Sequence, residues 1–360
     1  MQKILVIVGL ISLVFVCASQ APGSRAWGQA PATAPGMESH ITATDAEALE
    51  QGLIKNPDNL TAREQLITYY FNALLTSKAP DIEEKREQHV FWLIEHHPES
   101  DLAGSPEAQI EPMGFSGSTE GYERAKQLWL QQVDIHPDNQ RILSNAGQFF
   151  LISNEKLGRE LLEKALALDP SNTETSSRLA QSYDMERLFA SSPDEKTALA
   201  QKSLALRERA LERAEGVDRF YALGDTAKDA FEAGELEKAE QYASELLQSA
   251  PKFKDDWNYG NALFEGNIVL GRIALQHGDI VGAKEHLLSA GETPGSPQLD
   301  SFGPNMTLAK ELLEKGEREV VLTYLQSCAK FWKMGGDNLQ NWMATIRGGG
   351  TPDFGANLSY

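Results

Sequence analysis

Residues 227–239 read AKDAFEAGELEKA, and the fold of the chain can be argued outward from them. Ala227 and Ala239 stand twelve positions apart, with Gly234 between them. Two short antiparallel helices approach closely only where small side chains sit at the crossing of their axes, and glycine permits the tight turn that joins them. The same arrangement recurs as Gly271 with Ala283 around Gly278, and as Ala309 with Val321 around Gly316. Ala146 with Gly158 keeps the spacing without the turn glycine. Each such pair leaves an apolar face that the next pair must cover, so the pattern predicts an all-α chain of stacked helix pairs.

The stretch Ala165-Leu166-Ala167-Leu168-Asp169-Pro170-Ser171-Asn172 matches the tail of a tetratricopeptide (TPR) repeat, Ala-Leu-x-x-Asp-Pro-x-Asn, and Leu179, Ala180 and Tyr183 open the next unit at that family's spacing. Gly234 to Ala239 and Gly278 to Ala283 match its Gly-x-Tyr-x-x-Ala turn, with Leu236 and Ile280 replacing tyrosine. The chain therefore resembles the TPR family, clearly over residues 120–332 and weakly over 45–98. The resemblance implies a right-handed superhelical solenoid of antiparallel helix pairs that binds a protein or peptide on the face of its first helices. On that face it places Arg141, Asn145, Gln148, Arg178, Gln181, Lys228 and Arg272. They do not reproduce the family's Lys and Asn clamp for a C-terminal carboxylate, so that specificity is not expected. The anchors Ala146, Ala180, Ala227, Gly271 and Ala309 are separated by 34, 47, 44 and 38 residues, and only the first interval equals the family's period. The extra residues fall near 184–200 and 252–264, where helices lengthen or loops are inserted, so the array should be irregular.

Working toward the ends, residues 119–347 form the main repeat body and 44–98 a degenerate N-terminal helical region. Thr44 reads as an N-cap for a helix over 45–55, and further helices are expected over 61–75 and 81–97, the last stopped by Pro98. Residues 99–118 carry Pro106, Pro112, Gly104, Gly114 and Gly117 and break the rhythm. A segment of this kind is a degenerate repeat, a surface insertion or a binding loop. Residues 348–360 read as a flexible tail after a glycine stop.

Residues 1–21 read as a secretory signal: Lys3 precedes an uncharged apolar run over 4–18, and Ser19 and Ala21 are the small residues a signal peptidase reads. The run is short of the roughly 20 residues a membrane anchor needs. Cys17 raises the question of lipid attachment, but the bulky Val16 before it fits that signal poorly. Residues 22–43 are a Pro/Ala/Gly-rich flexible linker. With Cys17 removed, Cys328 stands alone and no internal disulfide is possible. An exported protein in the periplasm or cell envelope, or released from the cell, is the expectation, with no integral membrane segment after signal cleavage.

The composition is that of a folded protein, with a formal charge of -19 that becomes -20 without Lys3. Such a surface repels phosphate backbones and anionic lipid, which argues against nucleic acid as a partner. No catalytic or metal site is expected and no cofactor. His89 and His96 in HVFWLIEHH are i, i+7, about 10.5 Å apart along a helix, too far to share an ion, and the cluster reads as the partly exposed end of a helix. HExxH, CxxC, GxSxG and P-loop motifs are absent. Cys328 reads as a packed small residue and the acidic residues as solvated. Trp332 and Trp342 read as the cap of the last hydrophobic face, and Trp257 and Tyr259 as core or groove residues. The function these features support is a non-enzymatic scaffold for a protein or peptide. The alternatives are a structural or assembly subunit of an envelope complex and, behind both, an enzyme acting on a peptide or glycan.

Overall fold

The computed structural model describes residues 41–76, 80–112 and 117–358. The signal-like stretch and nearly all of the linker lie outside them. The described residues form sixteen α-helices and no strand. They divide into two compact units, one ending at Ser182 and one beginning at Tyr183.

The first unit opens with α1 (Ala43–Lys55), α2 (Leu60–Thr76) and α3 (Pro80–His96). The cap of α1 is Thr42, not Thr44, because Asp45 lies three residues after Thr42 and the two close a reciprocal capping box. After α3 come 3-10 turns over Leu102–Gly104 and Pro106–Ala108, then α4 (Thr119–Ile135), α5 (Gln140–Leu151) and α6 (Glu155–Leu168), and α7 (Thr173–Phe189) begins in this unit. Asn139 and Asn154 cap α5 and α6 with their side chains. The tight α5–α6 crossing is set by glycine: a Cβ on Gly158 would come 2.7 Å from the backbone nitrogen of Leu151. Trp129, Phe149, Phe150 and Ile142 fill the core beneath.

The second unit contains the end of α7, then α8 (Pro193–Leu211), α9 (Gly216–Glu232), α10 (Leu236–Ser249), α11 (Tyr259–Gln276), α12 (Ile280–Gly291), α13 (Pro297–Ser301), α14 (Thr307–Glu314), α15 (Arg318–Cys328) and α16 (Asn338–Arg347). The hairpins α9–α10, α11–α12 and α14–α15 turn at Gly234, Gly278 and Gly316, each at positive φ (82°, 79° and 87°), the left-handed region open to glycine. Ala227, Ala239, Ala283, Ala309 and Val321 are fully buried at the crossings. The long anchor intervals hold the 19-residue α8 and a 3-10 turn over Ala250–Phe253.

Three expectations are corrected. The described part of the irregular segment is not a surface insertion, since Ala103, Ala108, Ile110 and Glu111 are buried and fully buried Arg86 donates to the carbonyls of Glu107 and Gln109. The tail after Gly348 is packed as far as Leu358, because Phe354 meets Trp342 edge-on at 5.1 Å and Asn357 bonds the carbonyls of Phe302 and Pro304. His89 is buried inside α3, where Arg63 and Glu50 hold its two ring nitrogens at 3.2 and 3.0 Å. Cys328 is buried, and Trp332 and Trp342 pack together in the last core cluster.

Candidate functional site

The seven residues placed on the first-helix face meet different environments. In the first unit, Asn145 on α5 is 5% exposed and donates to the carbonyls of Pro98 and Ser100, both at 2.9 Å. Arg178 on α7 is also buried; it reaches the Gly104 carbonyl at 3.2 Å, the Ser144 hydroxyl at 3.1 Å and Glu174 at 2.6 Å. Arg141 pairs with Asp101. Gly104 lies so close that a Cβ there would overlap the Asn145 amide oxygen at 2.1 Å. These side chains hold residues 98–104 against α5 and α7, so the face expected to be an open groove is covered here by the unit's own chain. Gln148 is half-buried and Gln181 exposed.

In the second unit the face carries a seam of charge. Asp184, near the end of α7, and Asp229, on α9, flank Arg207 of α8. Arg207 reaches Asp184 at 2.5 Å, Asp229 at 2.7 Å and Asp225 at 3.3 Å. Arg187 bridges the same two aspartates at 3.1 and 3.2 Å, and the Ser203 hydroxyl donates to Asp229. Arg207 and Asp229 are 7% and 1% exposed at their side chains, so their mutual attraction acts with little solvent screening. Further along, Arg272 spans Glu232 and Glu311 at 2.6 and 2.9 Å while stacking on Phe231.

The electrostatics follow from that geometry. Burial opposes ionisation of Asp184, and the Arg207 and Arg187 guanidiniums overcome it and hold its carboxyl below the ordinary range. Burial wins at Asp229, aided by the neighbouring Asp184, and pushes it up despite Arg207. Burial disfavours the charge on Arg207, but Asp225, Asp184 and Asp229 more than restore it.

Two groups on this seam are left over. Lys228 makes no hydrogen bond or ion pair with a described residue, although Asp184, Glu232 and Glu265 all feel its charge. Glu265 on α11 is likewise without a partner among the described residues. Burial first, and then Asp225, raise its carboxyl to about 8 against the opposing charges of Lys228 and Arg207.

Sequence reasoning reached Lys228 and Arg272 here but not Asp184, Arg187, Arg207, Asp229 or Glu265. A signal was present: Asp225, Asp229 and Glu232 follow one another at i+4 and i+3, and Glu265 precedes Arg272 by seven. Both spacings put the residues on one helix face. Among the described residues no group of His, Cys, Asp and Glu has the arrangement of a metal site, and no helix is long and apolar enough to cross a membrane.

The fold defines the class, an all-α protein in which successive helices pack on one another. No protein-family model matches the sequence, and no curated protein matches it at a significant level.

Proposed function

We propose that this chain is an exported, non-enzymatic scaffold that holds another protein or peptide on TPR-like helical hairpins wound as a right-handed superhelix. The signal-like residues 1–21, the repeated small-residue pairs and the turn glycines support the reading. The observation that carries it is the pair Lys228 and Glu265, which make no hydrogen bond or ion pair with a described residue, beside buried charges such as Arg207 and Arg272 that are paired internally. Polar groups without a hydrogen-bond or ion-pair partner among the described residues, one of them cationic, suit recognition of a polar ligand. Protein or peptide is favoured over nucleic acid because the net charge of -19 opposes a phosphate backbone.

The test is affinity capture of the tagged protein from the envelope and medium of cells that express it, in parallel with the Asp225→Lys variant. A partner enriched by the wild type and lost from the variant is the expected result. If both capture the same background, the reading falls. Sequencing the mature N-terminus checks export separately, with cleavage after residue 21 expected.

A further inference from the structure

Residues 351–358 lie on the second unit in the manner of a bound peptide. Pro352, Phe354 and Asn357 are buried, while Thr351, Asp353, Gly355 and Ala356 face solvent, so three side chains enter and those between them stay out. Phe354 is 1% exposed and meets Trp342 edge-on. Asn357 donates its side-chain amide to the carbonyls of Phe302 and Pro304 at 3.1 and 3.0 Å, and its own carbonyl accepts from the Met306 N–H at 2.7 Å. One residue thus meets three backbone groups of the turn between α13 and α14. The Trp342 indole N–H donates to the Asp353 carbonyl at 3.1 Å. The surface beneath is held by the body of the unit. Fully buried Tyr324 of α15 donates its hydroxyl to the Asn305 carbonyl. Gly303, at φ 85°, is pressed on Trp332 so closely that a Cβ would come 2.3 Å from the ring. The segment itself follows Gly348, Gly349 and Gly350, with Gly349 at φ 87°. Arg318 of α15 clasps the chain as far as the Gly350 carbonyl, at 2.9 Å.

We propose that the turn 302–306 and Trp342 form a peptide-recognition site, held shut by residues 351–358, whose external ligand is an extended segment of a partner protein carrying Phe-x-x-Asn. The resident segment defines that chemistry. An aromatic ring packs on Trp342, and a carboxamide three residues later supplies two uncharged N–H donors from one nitrogen to two carbonyls. A lysine or arginine in that place would bring a charge into a buried position, and an aspartate would set acceptors against acceptors. The glycines after α16 form the hinge on which the segment lifts, while Arg318 keeps the end of α16 in place. A partner binds only the open form, so its apparent affinity is the intrinsic one reduced by the open fraction. The site lies apart from the charged seam and rests on its own occupant, whether or not the seam binds a ligand.

The experiment is fluorescence anisotropy of a labelled synthetic peptide with the sequence of residues 351–358, titrated with the full chain and with full-length Asn357→Ala. The variant loses the amide bonds to Phe302 and Pro304 but keeps Phe354, so the segment opens more often. It should bind the peptide about tenfold more tightly than the wild type does. A peptide with both its Phe and its Asn replaced by alanine should bind neither chain. Helical circular dichroism checks that the variant is folded, and amide exchange on the wild type gives a readout free of any substitution. The Met306 N–H, held by Asn357, should exchange ahead of the interior amides of α14 and α15. The site is overturned if the doubly replaced peptide binds equally well, if Asn357→Ala gains no affinity, or if Met306 exchanges only with global unfolding. A wild-type dimer that the peptide dissociates would give the site to the tail of a second copy, and that too overturns the assignment to a partner protein.

Discussion

Arg207 holds together charges that would otherwise repel. Without it Asp184 and Asp229 would share Arg187 as their one remaining arginine among the described residues, and Asp225 would lose its only ion-pair partner among them. Removing one member of such a buried set exposes the desolvation cost of those that remain, which exceeds the modest net benefit of the intact set. Arg207→Leu is expected to cost about 3–5 kcal/mol in urea unfolding, whereas Arg141→Leu, whose partner Asp101 is half exposed, should cost under about 1 kcal/mol. Equal costs for the two would show that burial does not govern these pairs. Cys328 makes the opposite case at the same scale: fully buried, its thiol is pushed well above its ordinary range by loss of solvent and is chemically quiet.

Among the elements, the segment between α3 and α4 departs furthest from a regular helical repeat. Asn145 and Arg178 provide the hydrogen-bond donors that a neighbouring helix would not, and they grip its backbone at Pro98, Ser100 and Gly104. Asn145→Ala strands two carbonyls and should cost about 1–3 kcal/mol. Amide exchange should quicken over residues 98–112 while α5 and α6 keep their protection; uniform loss across all three would refute a local clamp. The helices themselves were legible in sequence because their signals are local: small residues twelve apart, glycine at the turn, proline at the stop. The seam and the clamp were not, because they depend on which distant residues meet. Nothing near Asn145 announces that Pro98 will lie against it, and nothing near Glu265 announces Gly224. The tail read as flexible shows the same limit, since Gly348, Gly349 and Gly350 end a helix but say nothing of Phe354 returning to Trp342.

For the molecule as a whole, two sets of groups pull stability in opposite directions with pH. Burial raises Glu50, but bonds from His89 and Tyr70 hold it below its ordinary value, and Arg272 does the same for Glu232. With Asp184, these acids contribute stability above their unfolded values, and it is lost as pH falls through their lower folded values. His89, kept neutral by burial, adds to the acid loss below its ordinary value of 6.5. Glu265 has the reverse sign. Its folded form holds a proton that the unfolded chain gives up, so its contribution is whole below about 4.5 and is lost as pH rises through about 8. Glu265→Gln should therefore melt at a higher temperature than wild type near pH 8.5, with the difference vanishing near pH 5. Parallel melting curves at both pH values would contradict that sign.

The segment laid over α5 and α7 also changes what that surface can bind. Being part of the same chain, it is present there at an effective concentration on the order of millimolar, however dilute the protein. A free peptide at micromolar concentration competing for the same donors, the Asn145 amide and the Arg178 guanidinium, begins at a disadvantage of about a thousandfold. In this unit, selectivity against casual ligands is a matter of tethering.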